Sequence, residues 1–137
     1  MDDIFISKSI LTKLSGGKFM IKKLRLVMYY LKGFRSEELK QIKMGLEANL
    51  DVREYVCKYY NWKQMKQIRL GLKHGVDINL YSSPRFSDEQ MEQIRLGLQD
   101  GVDVMYYAEP GYDAKLMKRI RVNLLKGYST TPKNLMK

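Results

Sequence analysis

Residues Tyr60 to Ile78 read Y-N-W-K-Q-M-K-Q-I-R-L-G-L-K-H-G-V-D-I, and residues Phe86 to Val104 read F-S-D-E-Q-M-E-Q-I-R-L-G-L-Q-D-G-V-D-V. The second stretch begins 26 residues after the first and matches it through Q-M-x-Q-I-R-L-G-L and again through G-V-D. Extended outward, the same register lays down four copies without a gap, beginning at Phe34, Tyr60, Phe86 and Tyr112. The opening position is always aromatic. Five residues on stands Leu39, Met65, Met91 or Met117; eight on, Ile42, Ile68, Ile94 or Ile120; twelve on, Leu46, Leu72, Leu98 or Leu124. Steps of three and four mark one face of an α-helix. A gapless period of this length is the mark of repeat architectures, whose units bury their apolar faces against one another.

Each copy also marks where its helix starts and stops. Asn61, Ser87 and Asp113 fit an N-cap, and Gln64 and Gln90 lie three residues later, completing a capping box. The aromatic ahead of the cap is spaced to staple onto the residue five on. Gly75, Gly101 and Gly127, with Asn49 in the first copy, stand just beyond the last turn, where a left-handed backbone closes a Schellman motif. These signals predict helices over 61–74 and 87–100, with Met65, Met91, Ile68, Ile94, Leu72 and Leu98 buried. Beyond the stop come Asp51, Asp77 or Asp103 and then Tyr55, Tyr81 or Tyr107, with Pro84 and Pro110 following, which reads as a second, short helix capped by the Asp. Gly45, Gly71 and Gly97 lie inside the long helix at a cost of about 1 kcal/mol each against Ala. A repeated cost implies a repeated reason, for which close approach of the next copy's backbone is the simplest. In the fourth copy Asn123 replaces this Gly, Leu116 replaces the capping Gln and S-T-T-P replaces the short helix, so it reads as a terminal cap.

The first 33 residues fall outside the register and read as two amphipathic helices broken at Gly16-Gly17. The expected fold is therefore all-α, a small α-solenoid. It has an N-terminal helical cap over 1–33 and four repeats over 34–59, 60–85, 86–111 and 112–127. A C-terminal tail covers 128–137, and the whole forms one structural domain.

Composition narrows the function. The 137 residues contain 45% apolar side chains and only 3 Pro, which excludes a disordered chain. The opening M-D-D is unlike a secretory leader, and V-M-Y-Y-L from Val27 is too short to span a bilayer, so a soluble protein of the cytoplasm is expected. One Cys, Cys57, and one His, His74, make neither a disulfide nor a four-ligand zinc site, and they stand in different columns of different copies. Gly16-Gly17-Lys18 lacks the spacing of a phosphate loop. No cofactor, metal or small-molecule substrate is implied, and an enzyme is not expected.

The net charge of +10 is unevenly spread. Residues 1–33 are basic and 112–137 more so, whereas 86–111 hold six carboxylates against one cation. Lys43, Arg69, Arg95 and Arg121 form a basic column beside the apolar stripe, expected to snorkel across the repeat interface toward the Asp of the G-x-D turn or a Tyr face. Phosphate contact along a concave surface is the alternative for this column. Glu37, Lys63, Glu89 and Lys115 alternate in sign at one outer column, so that stacked neighbours would meet as opposite charges. The surplus left for a partner lies at the two ends. Lys22, Lys23, Arg25, Lys118, Arg119, Arg121 and Lys126 are the expected partner-binding residues, with Tyr55, Tyr81 and Tyr107 a possible second face.

The pattern Q-M-x-x-I-R-x-G-L-x-x-G-x-D-[VI], carried by Gln64 to Ile78 and Gln90 to Val104, resembles a short helical repeat of proteins from mobile elements and phages of gut Firmicutes. The resemblance covers residues 34–127 and implies no single activity. With it, the expected function is a non-enzymatic binding protein, an inhibitor of a host defence nucleoprotein complex of the anti-CRISPR kind. Its partner would be a host protein or nucleoprotein in the bacterial cytoplasm. Direct nucleic-acid binding through the basic ends is the alternative.

Overall fold

The structure, a computed structural model, describes residues 17–128. Among them the chain is all-helical, with no strand. The helices are α1 (Lys18–Leu31), α2 (Ser36–Glu47), α3 (Trp62–His74), α4 (Asp88–Gln99) and α5 (Ala114–Leu125). Three 3₁₀ turns, Val52–Glu54, Ile78–Leu80 and Val104–Tyr106, stand where the short helices were expected. They are single turns because each runs into Tyr55, Tyr81 or Tyr107, whose side chain is drawn into the core. The first of the two helices expected in 1–33 and the tail beyond Tyr128 lie outside the described residues.

The chain divides into two compact units, 1–52 and 53–137, so that the boundary falls inside the first copy. In the first unit α1 packs on α2. Gly33 has φ +99°, and the amide of Phe34 reaches back to the Tyr29 carbonyl at 3.2 Å, which turns the chain between the two helices. The rings of Tyr29 and Phe34 meet edge to face at 6.0 Å. Arg35 donates to the Tyr30 carbonyl at 2.9 Å with its guanidinium over the Tyr30 ring, and its own amide is capped by Glu38 at 3.0 Å.

In the second unit α3 packs on α4 and α4 on α5. The helix starts are those the sequence predicts: Asn61, Ser87 and Asp113 accept from the amides of Gln64, Gln90 and Leu116 at 2.9, 3.1 and 2.7 Å. So are the stops. Gly75 and Gly101 adopt φ +67° and +73°, and Val76 and Val102 bond back to the carbonyls of Gly71 and Gly97 at 3.1 and 3.0 Å. Asn49 at φ +56° does the same service in the first copy. Asp77 and Asp103 cap their 3₁₀ turns by accepting from Asn79 and Met105. Met65, Ile68, Met91, Ile94, Met117 and Ile120 are fully buried. Leu72 and Leu98, expected with them, are only half-buried. They sit in the last turn of their helices.

Candidate interaction surface

Four polar columns run along the helices of the second unit, and three of them are consumed by contacts inside it. The first is the capping-box glutamine. Gln64 accepts from the Asn61 amide with its Oε1 at 2.9 Å and donates from Nε2 to the carbonyl of Phe86, one copy ahead, at 2.7 Å. Gln90 repeats this, accepting from the Ser87 amide at 2.8 Å and donating to the carbonyls of Pro110 and Tyr112 at 2.9 and 2.6 Å. Glu would serve the cap equally well, but a carboxylate has no hydrogen to give, so only Gln can cap its own helix and hold the next.

The second column is the tyrosine. Tyr81 and Tyr107 are sealed from solvent, and their hydroxyls donate to the carbonyls of Gln67 and Gln93 at 3.0 and 2.9 Å. Each hydroxyl sits directly over a helix glycine. A Cβ on Gly71 would stand 1.8 Å from the Tyr81 Oη and 2.9 Å from Ile78 Cγ2, and one on Gly97 would meet Tyr107 and Val104 at the same distances. The glycine is thus required by the tyrosine of its own copy, not by the backbone of the next. Burial pushes both phenols well above their ordinary range, with Arg95 near Tyr81 and Arg121 near Tyr107 acting in the opposite sense. Tyr55 is equally buried. The three tyrosines proposed as a second binding face are core residues and present no surface.

The third column is the arginine beside the apolar stripe. Arg95, nearly sealed, donates from Nε to Oε1 of Gln67 in the preceding copy at 2.9 Å and from Nη1 to Gln99. Arg121 donates from Nε to Gln93 Oε1 at 3.3 Å and from Nη1 to Asp100 at 2.9 Å. The column does snorkel across the interface, but its partner is the glutamine two residues upstream in the preceding copy, together with a residue near the end of a helix. The Asp of the G-x-D turn is occupied by its own cap. Arg121, expected at the partner surface, is therefore committed internally. The outer column behaves differently from expectation too. Among the described residues no ion pair joins Glu89 to Lys63 or Lys115. Glu37 pairs with Lys40, and Lys63 lies over the Trp62 ring.

A further set of polar side chains lies along α5. Lys115, Lys118, Arg119, Val122 and Asn123 line a groove of about 570 Å³ along it. Two of the expected partner-binding residues, Lys118 and Arg119, are brought together there, and Lys126 is exposed at the end of the same helix. Lys115 belongs to the basic surplus expected at this end, whereas the uncharged Val122 and Asn123 were not expected beside it; aligning the columns sets Arg119 and Asn123 where Gln67 and Gly71 stand in α3. On α1, Lys23 lies over the Phe19 ring at 4.6 Å, Lys22 is half-buried, and Arg25 lines a cleft of about 60 Å³ with Met28, Tyr29 and Lys32.

Comparison with protein-family models, with curated proteins and with solved structures yields no match to this chain. Among the described residues no three His, Cys, Asp or Glu side chains converge as metal ligands, and no helix is long and apolar enough to cross a membrane. His74, at one helix end, is exposed and its Nδ1 lies 2.7 Å from the Leu70 carbonyl oxygen, while Cys57 is half-buried.

Proposed function

We propose that the chain is a non-enzymatic helical-repeat binding protein. In this proposal residues 34–127 form a small α-solenoid of four helix–turn repeats behind an N-terminal cap, and the solenoid offers a surface to a macromolecular partner. The repeat pattern extends the proposal to a protein of mobile elements or phages that inhibits a host defence nucleoprotein, in the anti-CRISPR manner, within the bacterial cytoplasm. The observation that carries the binding role is the use made of the polar side chains. Gln64, Gln67, Gln90, Gln93, Arg95, Tyr81 and Tyr107 are spent on contacts within the array, as in scaffolds whose function is to hold a surface in shape.

Direct nucleic-acid binding is the second reading, favoured by Lys115, Lys118 and Arg119 along one groove. The six carboxylates of residues 86–111 weigh against it, because they lie in the adjoining copy. Titration with duplex and single-stranded DNA and RNA at low and physiological salt separates the two, alongside co-purification from nuclease-treated host lysate. Retention of a protein partner after nuclease treatment, with nucleic-acid affinity weak at physiological salt, is the expected result. Tight nucleic-acid binding with a steep salt dependence, and no protein retained, would overturn the protein-binding reading.

A further inference from the structure

The groove on α5 has a definite place in the repeat. Its lining residues, at steps of three and four, occupy the columns that on α3 are Lys63, Lys66, Gln67, Leu70 and Gly71, and on α4 are Glu89, Glu92, Gln93, Leu96 and Gly97. On those two helices this face is used: Gln67 receives Arg95, Gln93 receives Arg121, and the glycines receive tyrosines. On α5 no described residue bonds to the side chains of the same face, and its chemistry is changed. Arg119 replaces the glutamine acceptor, so another copy arriving with its arginine would set guanidinium against guanidinium, two groups with donors only. Asn123 fills the notch that a tyrosine would need.

We propose that this face of α5 is a docking groove for an acidic segment of a protein partner, one that carries an apolar anchor between carboxylates. This rests on the binding role proposed above and names the class of partner. Lys115, Lys118 and Arg119 supply three cations along one helix face, with Arg119 able to take a carboxylate in two parallel bonds. Val122 and the lysine stems give the groove an apolar floor, which a phosphate backbone leaves unused and a leucine side chain covers. The acidic neighbouring copy repels a long polyanion more than a short segment confined to α5, because screening at physiological salt acts beyond about 8 Å.

The test follows backbone amide signals of the isotope-labelled full chain during titration at physiological salt. The probes are a helical peptide with one leucine flanked by glutamates, the same peptide with the leucine replaced by serine, and a short duplex DNA. The leucine peptide should shift signals of residues 115–123 and bind most tightly. Lys118→Glu with Arg119→Glu should weaken it by about tenfold or more, and Arg119→Gln, which restores the residue of the other copies, by a smaller factor. Lys63→Glu with Lys66→Glu, the same columns on α3, should change it less than about twofold. Shifts elsewhere, equal affinity for the serine peptide, tighter binding of DNA, or concentration-dependent shifts of 115–123 without peptide, which would mean a second copy, each overturn the assignment. If a captured host protein binds the Glu variants as it binds the wild type, the groove assignment falls while the protein-binding role stands.

Discussion

Gly97→Ala tests the contact that shapes the two middle copies. In an exposed helix the change stabilises by about 1 kcal/mol. Here the new Cβ would stand 1.8 Å from the Tyr107 hydroxyl, against the 3.4 Å at which contact becomes ordinary, so the oxygen must retreat by about 1.6 Å. The ring is rigid and sealed on all sides, and its retreat breaks the 2.9 Å bond to the Gln93 carbonyl. Overpacking of a tight core costs about 1–3 kcal/mol and the lost hydrogen bond about 1 more. After the gain in helix propensity, a net destabilisation of about 1–3 kcal/mol remains. Tyr107→Phe removes the clashing oxygen and alone costs about 1 kcal/mol. The double variant should therefore be more stable than the two single losses added together, by about 1 kcal/mol or more. Urea unfolding of the four proteins measures this directly. A Gly97→Ala variant as stable as the wild type, or strict additivity with Tyr107→Phe, would refute the seat assigned to the hydroxyl.

Gln90→Glu keeps the acceptor for the Ser87 amide but turns a carboxylate toward the carbonyls of Pro110 and Tyr112, so urea unfolding near neutral pH should show a loss of about 2–4 kcal/mol. The variant's carboxyl is held above its unfolded range, so the deficit should shrink as the pH falls and the protonated group regains a donor. Tyr81 and Tyr107 are raised above 10.0, so the folded state holds phenol protons that the unfolded chain releases. Their stabilisation is complete below pH about 10 and is lost as the pH climbs above it, and replacing both with Phe should flatten the fall of the urea midpoint between about pH 9 and 11. Arg95→Met should cost more than Arg121→Met in the same assay. Arg95 is nearly sealed and its loss strands Gln67 Oε1, whereas the Asp100 partner of Arg121 can turn to water.

Helix positions, caps and stops were legible because each is written within a few residues of itself. Asn61 with Gln64, Ser87 with Gln90, and Gly75 with Val76 act locally, and a local pattern reports them faithfully. What depends on a neighbouring segment was read in part. The capping box explains Gln64 and Gln90 without any second role, and only the carbonyls of Phe86 and Tyr112 reveal why Glu does not serve. Tyr55, Tyr81 and Tyr107 follow Asp-led turns and were read as a possible surface, yet they are core. A trace of this was present in the columns: Gly45, Gly71 and Gly97 occur in the copies with a tyrosine ten residues on, and Asn123 in the copy where that position is Lys133. The basic column was aimed across the interface correctly, but uncharged Gln67 and Gln93 gave no electrostatic reason to be chosen. Likewise, Lys118 and Arg119 were selected for charge alone, whereas their place beside Val122 and Asn123 on an unused stacking face needs the packing of α3 and α4 for comparison.

Amide hydrogen exchange of the full chain, free and bound to its captured host protein, tests the central claim most directly. Slowed exchange concentrated in residues 114–126, with 62–74 and 88–99 little changed, is the predicted result, because the faces of α3 and α4 are already taken. Protection centred on α3 or α4, with α5 exchanging as in the free protein, would contradict it.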